Sequence, residues 1–175
     1  MKRRLIIPVL LSIFLILPSF SYDLYILNDR CSESFYEMCD NYFKDYPEIN
    51  VIREVRGVNL RISLEVENTY EMKEEARLKL NVIKHFLAKI KNPVIIEVHT
   101  VEVPAKLNIN NWEYSTVLAN KISDIFTKGE QRLPIERVKS VGYGEFMPSV
   151  NNTSNNGGKD TQRIDIIILC SIDGE

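Results

Sequence analysis

Few side chains in this chain of 175 residues have the type and spacing that catalysis or metal binding requires. The two histidines, His85 and His99, lie on a predicted helix and a predicted strand, outside any His-Glu-x-x-His motif. No Gly-x-Ser-x-Gly motif is present, and the three cysteines, Cys31, Cys39 and Cys170, have no Cys-x-x-Cys spacing. A His99 and Cys170 pair stays open as a catalytic alternative. We nevertheless expect no enzymatic activity, no cofactor and no metal site.

Three other readings depend on residues at the ends of predicted elements. His99 ends an otherwise apolar strand, where its side chain suits either a structural hydrogen bond or a ligand contact. Trp112 begins a helix, as a packing residue or as a platform for a sugar ring. Arg163 begins the last strand beside a polar loop, as a contact for a carboxylate or as half of a surface ion pair. The residue types alone leave these alternatives open.

Alternating apolar residues predict the strands that position these side chains. Their ranges are 58–66, 94–101, 137–145 and 163–170, with 49–55 as a further short candidate. Two helices separate the first three strands, the first of them over residues 72–90. The second begins after Asn110, which together with Glu113 matches a capping box. Strands that alternate with helices in this way predict one sheet with both helices packed on a face.

The N-terminus has the pattern of a secretory signal peptide over residues 1–21. Three basic residues at positions 2–4 precede an apolar run over 5–17, and small residues lie before Tyr22. That run is about 13 residues long, short of the roughly 20 that a spanning helix needs. We therefore expect cleavage after Ser21 and not retention as a membrane anchor.

The remaining chain is predicted to hold an N-terminal extension over residues 22–50, which is helical in pattern, and one domain over 51–175. The role of the extension is not readable. Cys31 and Cys39 within it are eight positions apart, so a disulfide between them would require a turn in the segment. Without positions 2–4, 19 of the 22 basic residues remain against 24 acidic ones, a net charge of −5 that is unsuited to nucleic acid.

Two motifs together resemble the C-terminal domain of the OmpA and MotB family, which binds peptidoglycan. They are Asn111-Trp112-Glu113-Tyr114-Ser115-Thr116, and Val141-Gly142-Tyr143-Gly144-Glu145 followed by Pro148, Asn152, Gly157 and Arg163-Ile164-Asp165. The resemblance covers residues 57–169, about two thirds of the chain, in the family's element order. It implies an α+β fold, a two-layer α/β sandwich of order β-α-β-α-β-β with a mixed four-stranded sheet. The chain is thereby identified as a divergent member.

The family's peptide-stem site is altered in this chain. In the family, an Asp after a His-Thr pair and an Arg on the second helix hold the zwitterionic end of diaminopimelate. The pair corresponds to His99 and Thr100 here, but Val101 occupies the Asp position and Leu118 the Arg position. Apolar residues cannot compensate a desolvated charge, which costs several kcal/mol, so diaminopimelate binding in the usual mode is expected to be lost or very weak.

The resemblance leaves five candidate ligand contacts: His99, Thr100, Glu102, Asn111 and Arg163. Asn111 and Arg163 match the family pattern, whereas Gln162 replaces the first of two adjacent arginines. Glu102 follows the lost Asp position and is placed to receive the ammonium of a stem built on lysine or ornithine.

We therefore predict a non-catalytic exported protein of the periplasm, near the cell wall or outer membrane, that associates with the peptide stem of peptidoglycan. The alternative is the same fold with the site lost, used as a structural or interaction module for an envelope protein. Val101 and Leu118 favour the alternative, and Asn111 and Arg163 favour wall binding. A motor stator role like that of MotB is not expected, because the apolar run over 5–17 holds no acidic residue.

Overall fold

The computed structural model describes residues 35–66, 70–147 and 162–170. The strands are β1 (Asn50–Glu54), β2 (Gly57–Ser63), β3 (Val94–His99), β4 (Val138–Gly144) and β5 (Arg163–Leu169). The described part of helix α1 covers residues 35–43, and it is followed by α2 (Glu74–Leu87), α3 (Asn111–Thr127) and a 3-10 turn at Ile135–Arg137. The predicted signal peptide and the predicted loop over 148–161 lie outside the described residues. Within those residues, no helix has the length and apolarity needed to cross a membrane.

The strands form one mixed sheet in the order β1-β2-β5-β3-β4. β5 is antiparallel to both of its neighbours, β2 and β3, whereas β3 and β4 are parallel. The predicted four-stranded sheet is therefore one strand short. Asn50–Glu54, which the sequence marked only as a short candidate, pairs with β2 as a hairpin and becomes the edge strand β1.

The core lies between one face of the sheet and helices α2 and α3. Alternate residues of β5 face it, and Ile164, Ile166 and Ile168 are fully buried. Apolar residues of both helices meet them, among them Leu80, Ile83, Leu118 and Ile122. Burial of each such side chain stabilises the fold by about 1.5–3 kcal/mol. Because Ile164, Ile166 and Ile168 are the buried ones, the predicted alternation identified the core face of β5 correctly.

Helix α1 packs onto α2 through aromatic rings. The ring of Phe86 lies 5.1 Å from that of Phe43 and 4.6 Å from that of Tyr42, measured between centroids. Cys39 is fully buried beside them, and burial raises the pKa of its thiol to about 12. The described end of the predicted extension therefore shares its core with the domain; Cys31 lies outside the described residues.

Two strands end earlier than the alternating pattern predicts. β2 ends at Ser63, and the backbone N–H of Leu64 donates to the carbonyl oxygen of Gln162 at 3.1 Å, which extends the β2–β5 register by one residue beyond the strand. β3 stops at His99, and the chain from Thr100 onward turns away from the sheet. The carboxyl ends of β2 and β3 lie at the same end of the sheet, where a groove is present.

Candidate functional site

One end of the sheet holds the carboxyl ends of β2, β3 and β4 together with the amino end of β5, because β5 runs opposite to the other three. We call it the groove end of the sheet. Helix α3 also begins at the groove end of the sheet. An open groove of about 790 Å³ lies there. It is lined by residues 64–66, Lys73, residues 102–106, Tyr114 and Gln162.

The groove carries charges of both signs. Glu65 is already engaged, since its carboxylate lies 3.1 Å from the ammonium of Lys79 and 3.7 Å from that of Lys73. Glu102 and Lys106 are exposed and form no ion pair with any residue in the described ranges. Considering only partners in the described ranges, the groove therefore presents one unengaged carboxylate and one unengaged ammonium.

The two replaced clamp positions differ in burial at the groove end of the sheet. Leu118 is fully buried, one helical turn after Tyr114, and belongs to the core beneath the groove. Tyr114 is buried as well, with its ring centroid 5.7 Å from that of Tyr70, and burial raises the pKa of the Tyr114 hydroxyl. Val101 is partly exposed beside Glu102. The position where the family has an Arg is thus closed to a ligand here.

Thr100 and Asn111 form hydrogen bonds to each other and do not line the groove. The side-chain amide of Asn111 donates to the Thr100 carbonyl oxygen at 2.9 Å, and the Thr100 hydroxyl donates to the Asn111 side-chain oxygen. The Thr100 backbone N–H donates to the Gly144 carbonyl oxygen at 3.1 Å. These bonds attach the loop after β3 to the start of α3 and to the end of β4.

The two motifs that carry the family resemblance meet in the packing of α3 on β4. The Ser115 hydroxyl accepts from the Gly144 N–H at 2.8 Å and donates to the Trp112 carbonyl oxygen at 2.9 Å. A Cβ on Gly142 would lie 2.2 Å from the backbone nitrogen of Thr116, so only glycine permits this approach. The predicted capping box at Asn110 is confirmed and fixes where the helix begins.

His99 and Arg163 lie together, but on the sheet face opposite the helices. Their backbones pair across β3 and β5, and the adjacent Val98 and Ile164 face the core. Arg163 donates from Nε to Asp165 at 2.9 Å and from Nη2 to the Met147 carbonyl oxygen at 2.9 Å. Arg163 is only 6% exposed, so its ion pair with Asp165 is buried, unlike the surface ion pair that was one of its two predicted roles.

Asp165 is the centre of this buried cluster. Arg61 binds its carboxylate with two bonds of 2.6 and 3.0 Å, and His99 Nε2 lies 3.5 Å from it. Burial alone would raise the pKa of Asp165, but Arg61 and Arg163 hold it below its usual value. Burial, together with the charge of Arg163, lowers the pKa of His99 from 6.5 to about 4, so the imidazole is neutral at neutral pH.

Glu97, His99 and Asp165 have ligand-type atoms within 4.8 Å of one another, a juxtaposition that the sequence analysis missed. Arginines occupy both carboxylates: Arg56 binds Glu97 at 2.7 Å, and Arg61 and Arg163 bind Asp165. A cation here would face three guanidinium groups. We therefore interpret the cluster as an ion-pair network that joins β2, β3 and β5.

The structure excludes the His99 and Cys170 pair that the sequence left open. His99 is opposite Arg163 at one end of β5, whereas Cys170 follows the other end. Seven residues of extended chain separate Arg163 from Cys170, which places the two side chains about 23 Å apart.

Of the five candidate contacts, only Glu102 lines the groove. The sequence analysis missed Lys106 and Tyr114, which line it as well. The available signal was an acidic and a basic residue four positions apart in the connector after β3. The side chain of Trp112 is 55% exposed and therefore only partly packed, so its two predicted roles, packing and a platform for a sugar ring, both stay predictions.

The sheet order, the two helices on one face and the groove at the strand ends define a class of protein. The chain has the fold of the OmpA/MotB-like C-terminal domains.

Solved structures that share this fold include the following three. A MotB-like protein from Desulfovibrio vulgaris is 20% identical, with a TM-score of 0.70, and the match covers 85% of this chain and 99% of that one. The periplasmic domain of Helicobacter pylori MotB is 16% identical, with a TM-score of 0.58 over 69% of this chain and 81% of that chain. The cell wall anchor of the T6SS from Pseudomonas aeruginosa is 18% identical, with a TM-score of 0.58 over 75% and 96%.

Among curated proteins, the "uncharacterized protein YtxE" of Bacillus subtilis is 31% identical over 134 residues. The match includes 74% of this chain but only 54% of YtxE, so the chain spans about half the length of that relative. No protein-family profile matches the chain.

Proposed function

We propose that this chain is an exported, non-catalytic domain that associates with the cell wall by binding the peptide stem of peptidoglycan in its groove. The observation that carries the proposal is the presence of Glu102 and Lys106, both unengaged by other described residues, in one open groove. The fold supports it, since one structural neighbour is a cell wall anchor. We place the protein in the periplasm, against the wall or the outer membrane.

Glu102 is proposed to receive the side-chain ammonium of the diamino residue in the stem. A charge-assisted hydrogen bond of this kind contributes about 1.5–3 kcal/mol. Lys106 is the available partner for a carboxylate, but its ammonium is a point charge without the bidentate geometry of arginine. A stem built on lysine or ornithine brings only its ammonium to Glu102. Diaminopimelate must in addition exchange the water around its far carboxylate for the point charge of Lys106, so we expect it to bind less well.

The other candidate residues are proposed to position the groove. Thr100 and Asn111 hold the loop that carries Glu102 against α3. Arg163 stabilises the strand ends from the opposite face of the sheet, through its bonds to Asp165 and to the Met147 carbonyl oxygen.

The test is a pull-down of the mature chain, from residue 22 onward, on purified sacculi from its own host and on diaminopimelate-type sacculi. We expect retention mainly on sacculi with a lysine- or ornithine-type stem. Glu102→Gln should weaken retention roughly tenfold, the factor that about 1.4 kcal/mol represents. Lys106→Ala should weaken only the binding of diaminopimelate-type sacculi.

The matched controls are Glu130→Gln and Lys91→Ala, two exposed residues outside the groove, which should bind like the wild type. Retention of the wild type on neither kind of sacculus would refute wall binding. Equal retention of wild type and Glu102→Gln would refute the assignment of the groove.

A second candidate function is the same fold as an interaction module for an envelope protein. It is favoured by Leu118, which is fully buried in the core, and by Val101, which leaves the family's Asp position without a charge. A folded chain that no sacculus retains would support this function.

A further inference from the structure

Lysines and arginines are concentrated at the end of the sheet opposite the groove. Residues 84–92 and 128–139, which we call the basic end, hold seven of the 22 basic residues of the chain and two of its 24 acidic ones. Their net charge is therefore +5, in a chain whose formal net charge is −2. We propose that the basic end docks the protein on a membrane surface that contains anionic phospholipids. This interaction goes beyond the proposed binding in the groove and does not depend on it.

The fold brings the two segments of the basic end together. Helices α2 and α3 end there, and strands β3 and β4 begin there. The ammonium of Lys84 donates to the Lys128 carbonyl oxygen at 2.8 Å, which joins the ends of the two helices. Arg137 donates from Nη2 to the Asn92 carbonyl oxygen at 2.9 Å, which joins the turn before β4 to the turn before β3. The positive charges therefore belong to one surface.

Only part of this charge is used inside the fold. Four of the seven basic residues have partners: Lys84 and Arg137 bind backbone carbonyl oxygens, Lys128 lies 2.8 Å from the Asp124 carboxylate, and Lys89 lies 5.1 Å from the centroid of the Tyr42 ring. The other three, Lys91, Arg132 and Lys139, are exposed and form no ion pair with any other described residue. These three charges are available to lipid phosphates.

An exposed isoleucine lies among these charges. Ile135 is 75% exposed, the highest value among the large apolar residues that the structure describes. The turn that carries it is fixed on both sides. Before it, the N–H of the buried Leu133 donates to the Phe126 carbonyl oxygen at 2.8 Å, and after it, Arg137 binds the segment before β3. A fixed turn with an apolar residue between basic ones suits the headgroup region of a bilayer.

Ile135 also separates a membrane from a soluble polyanion. A phosphate polymer in solution offers charge but no apolar phase, whereas a bilayer accepts the isoleucine below its phosphates. The position of the basic end permits both interactions at once. Helix α3 has 17 residues and runs from the groove end to Thr127, so the basic end lies about 25 Å from the groove.

The test is co-sedimentation of the mature chain with vesicles of phosphatidylcholine, prepared with and without phosphatidylglycerol. We expect binding only where phosphatidylglycerol is present, and weaker binding as salt is added. The triple variant Lys91→Gln, Arg132→Gln, Lys139→Gln should bind roughly a hundredfold more weakly. Each basic residue contributes a factor of about five, the equivalent of about 1 kcal/mol. Ile135→Ser should bind roughly fivefold more weakly, because it removes the apolar contact.

Arg77→Gln and Leu78→Ser are the matched controls, since both residues are exposed on α2 outside the basic end, and they should bind like the wild type. No binding by the wild type, or equal binding by the triple variant, would overturn the proposal. Binding to soluble polyglycerol phosphate as well as to vesicles, with Ile135→Ser equal to the wild type, would assign the basic end to a polyanion instead. The triple variant should still bind sacculi like the wild type, so failure of the basic end and failure of the groove are distinguishable.

Fluorescence tests which end faces the membrane. Trp112 is the single tryptophan of the chain and lies at the start of α3, at the groove end. We expect phosphatidylglycerol vesicles to leave its emission unchanged and to shift the added emission of an Ile135→Trp variant to shorter wavelength. A shift of the wild-type emission, with none added in Ile135→Trp, would overturn the assignment to the basic end.

Discussion

The buried imidazole of His99 should make the fold sensitive to mild acid. An unfolded histidine takes up its proton near pH 6.5, whereas folded His99 does so near pH 4, because burial and the charges of Arg163 and Arg61 oppose protonation. Between these two values, acidification protonates the unfolded chain and leaves the folded chain neutral at this site. The free energy of unfolding must therefore fall as the pH drops through this window, and it recovers as the pH rises.

The size of the effect follows from the two pKa values. At pH 5, about 1.5 units below the unfolded value, the loss is about 2 kcal/mol, since one unit corresponds to about 1.4 kcal/mol. Asp165 does not contribute in this range. Its pKa is held below 3.8 in the folded state, so its stabilising effect is lost only at lower pH.

The assay is urea unfolding, followed by circular dichroism, at about pH 7.5 and about pH 5. His99→Phe keeps a ring against Tyr143, which stacks on His99 at a centroid distance of 5.2 Å, and removes the titrating group. We expect the variant to lose about 2 kcal/mol of the pH dependence that the wild type shows. His85→Phe, at an exposed helix position, is the matched control and should retain it. A His99→Phe protein with the same pH dependence as the wild type would refute the argument.

Two further substitutions test how α3 is positioned. Gly142→Ala should destabilise the fold by about 3 kcal/mol in urea unfolding, because its Cβ would lie 2.2 Å from the Thr116 nitrogen; a change below about 0.5 kcal/mol would contradict this packing. Leu118→Arg, which returns the family's residue, should destabilise by about 3–5 kcal/mol and gain no diaminopimelate affinity, because the position is fully buried. Tighter binding of diaminopimelate-type sacculi by a stable Leu118→Arg protein would show that this position faces the ligand.

Local patterns were enough to predict much of the fold. The alternation around Ile164, Ile166 and Ile168 depends only on the period of an extended chain, and it assigned the core face correctly. The capping box at Asn110 and Glu113 is a contact over three residues, so it too was readable. The strand count was not, because pairing of the short edge strand β1 depends on a hairpin that its own residues only weakly indicate.

The candidate site required more than local pattern. The strand period places Arg163 and Asp165 on the face away from the core, yet the family resemblance grouped Arg163 with the groove. Lys106 and Tyr114 join the groove only because the loop after β3 folds back toward α3, through the Thr100 and Asn111 bonds. The spacing of residues in the sequence does not predict this contact between the loop and α3.

The sequence by itself determined which residues form strands and helices, which faces are apolar, and that both charges of the family's clamp are missing. Those properties depend on the nearest few residues of the chain. Only the tertiary structure decided which charges meet, because the order of strands in the sheet is a long-range property. Arg61 and Asp165 are 104 positions apart and form a bidentate pair solely because β2 and β5 are neighbours.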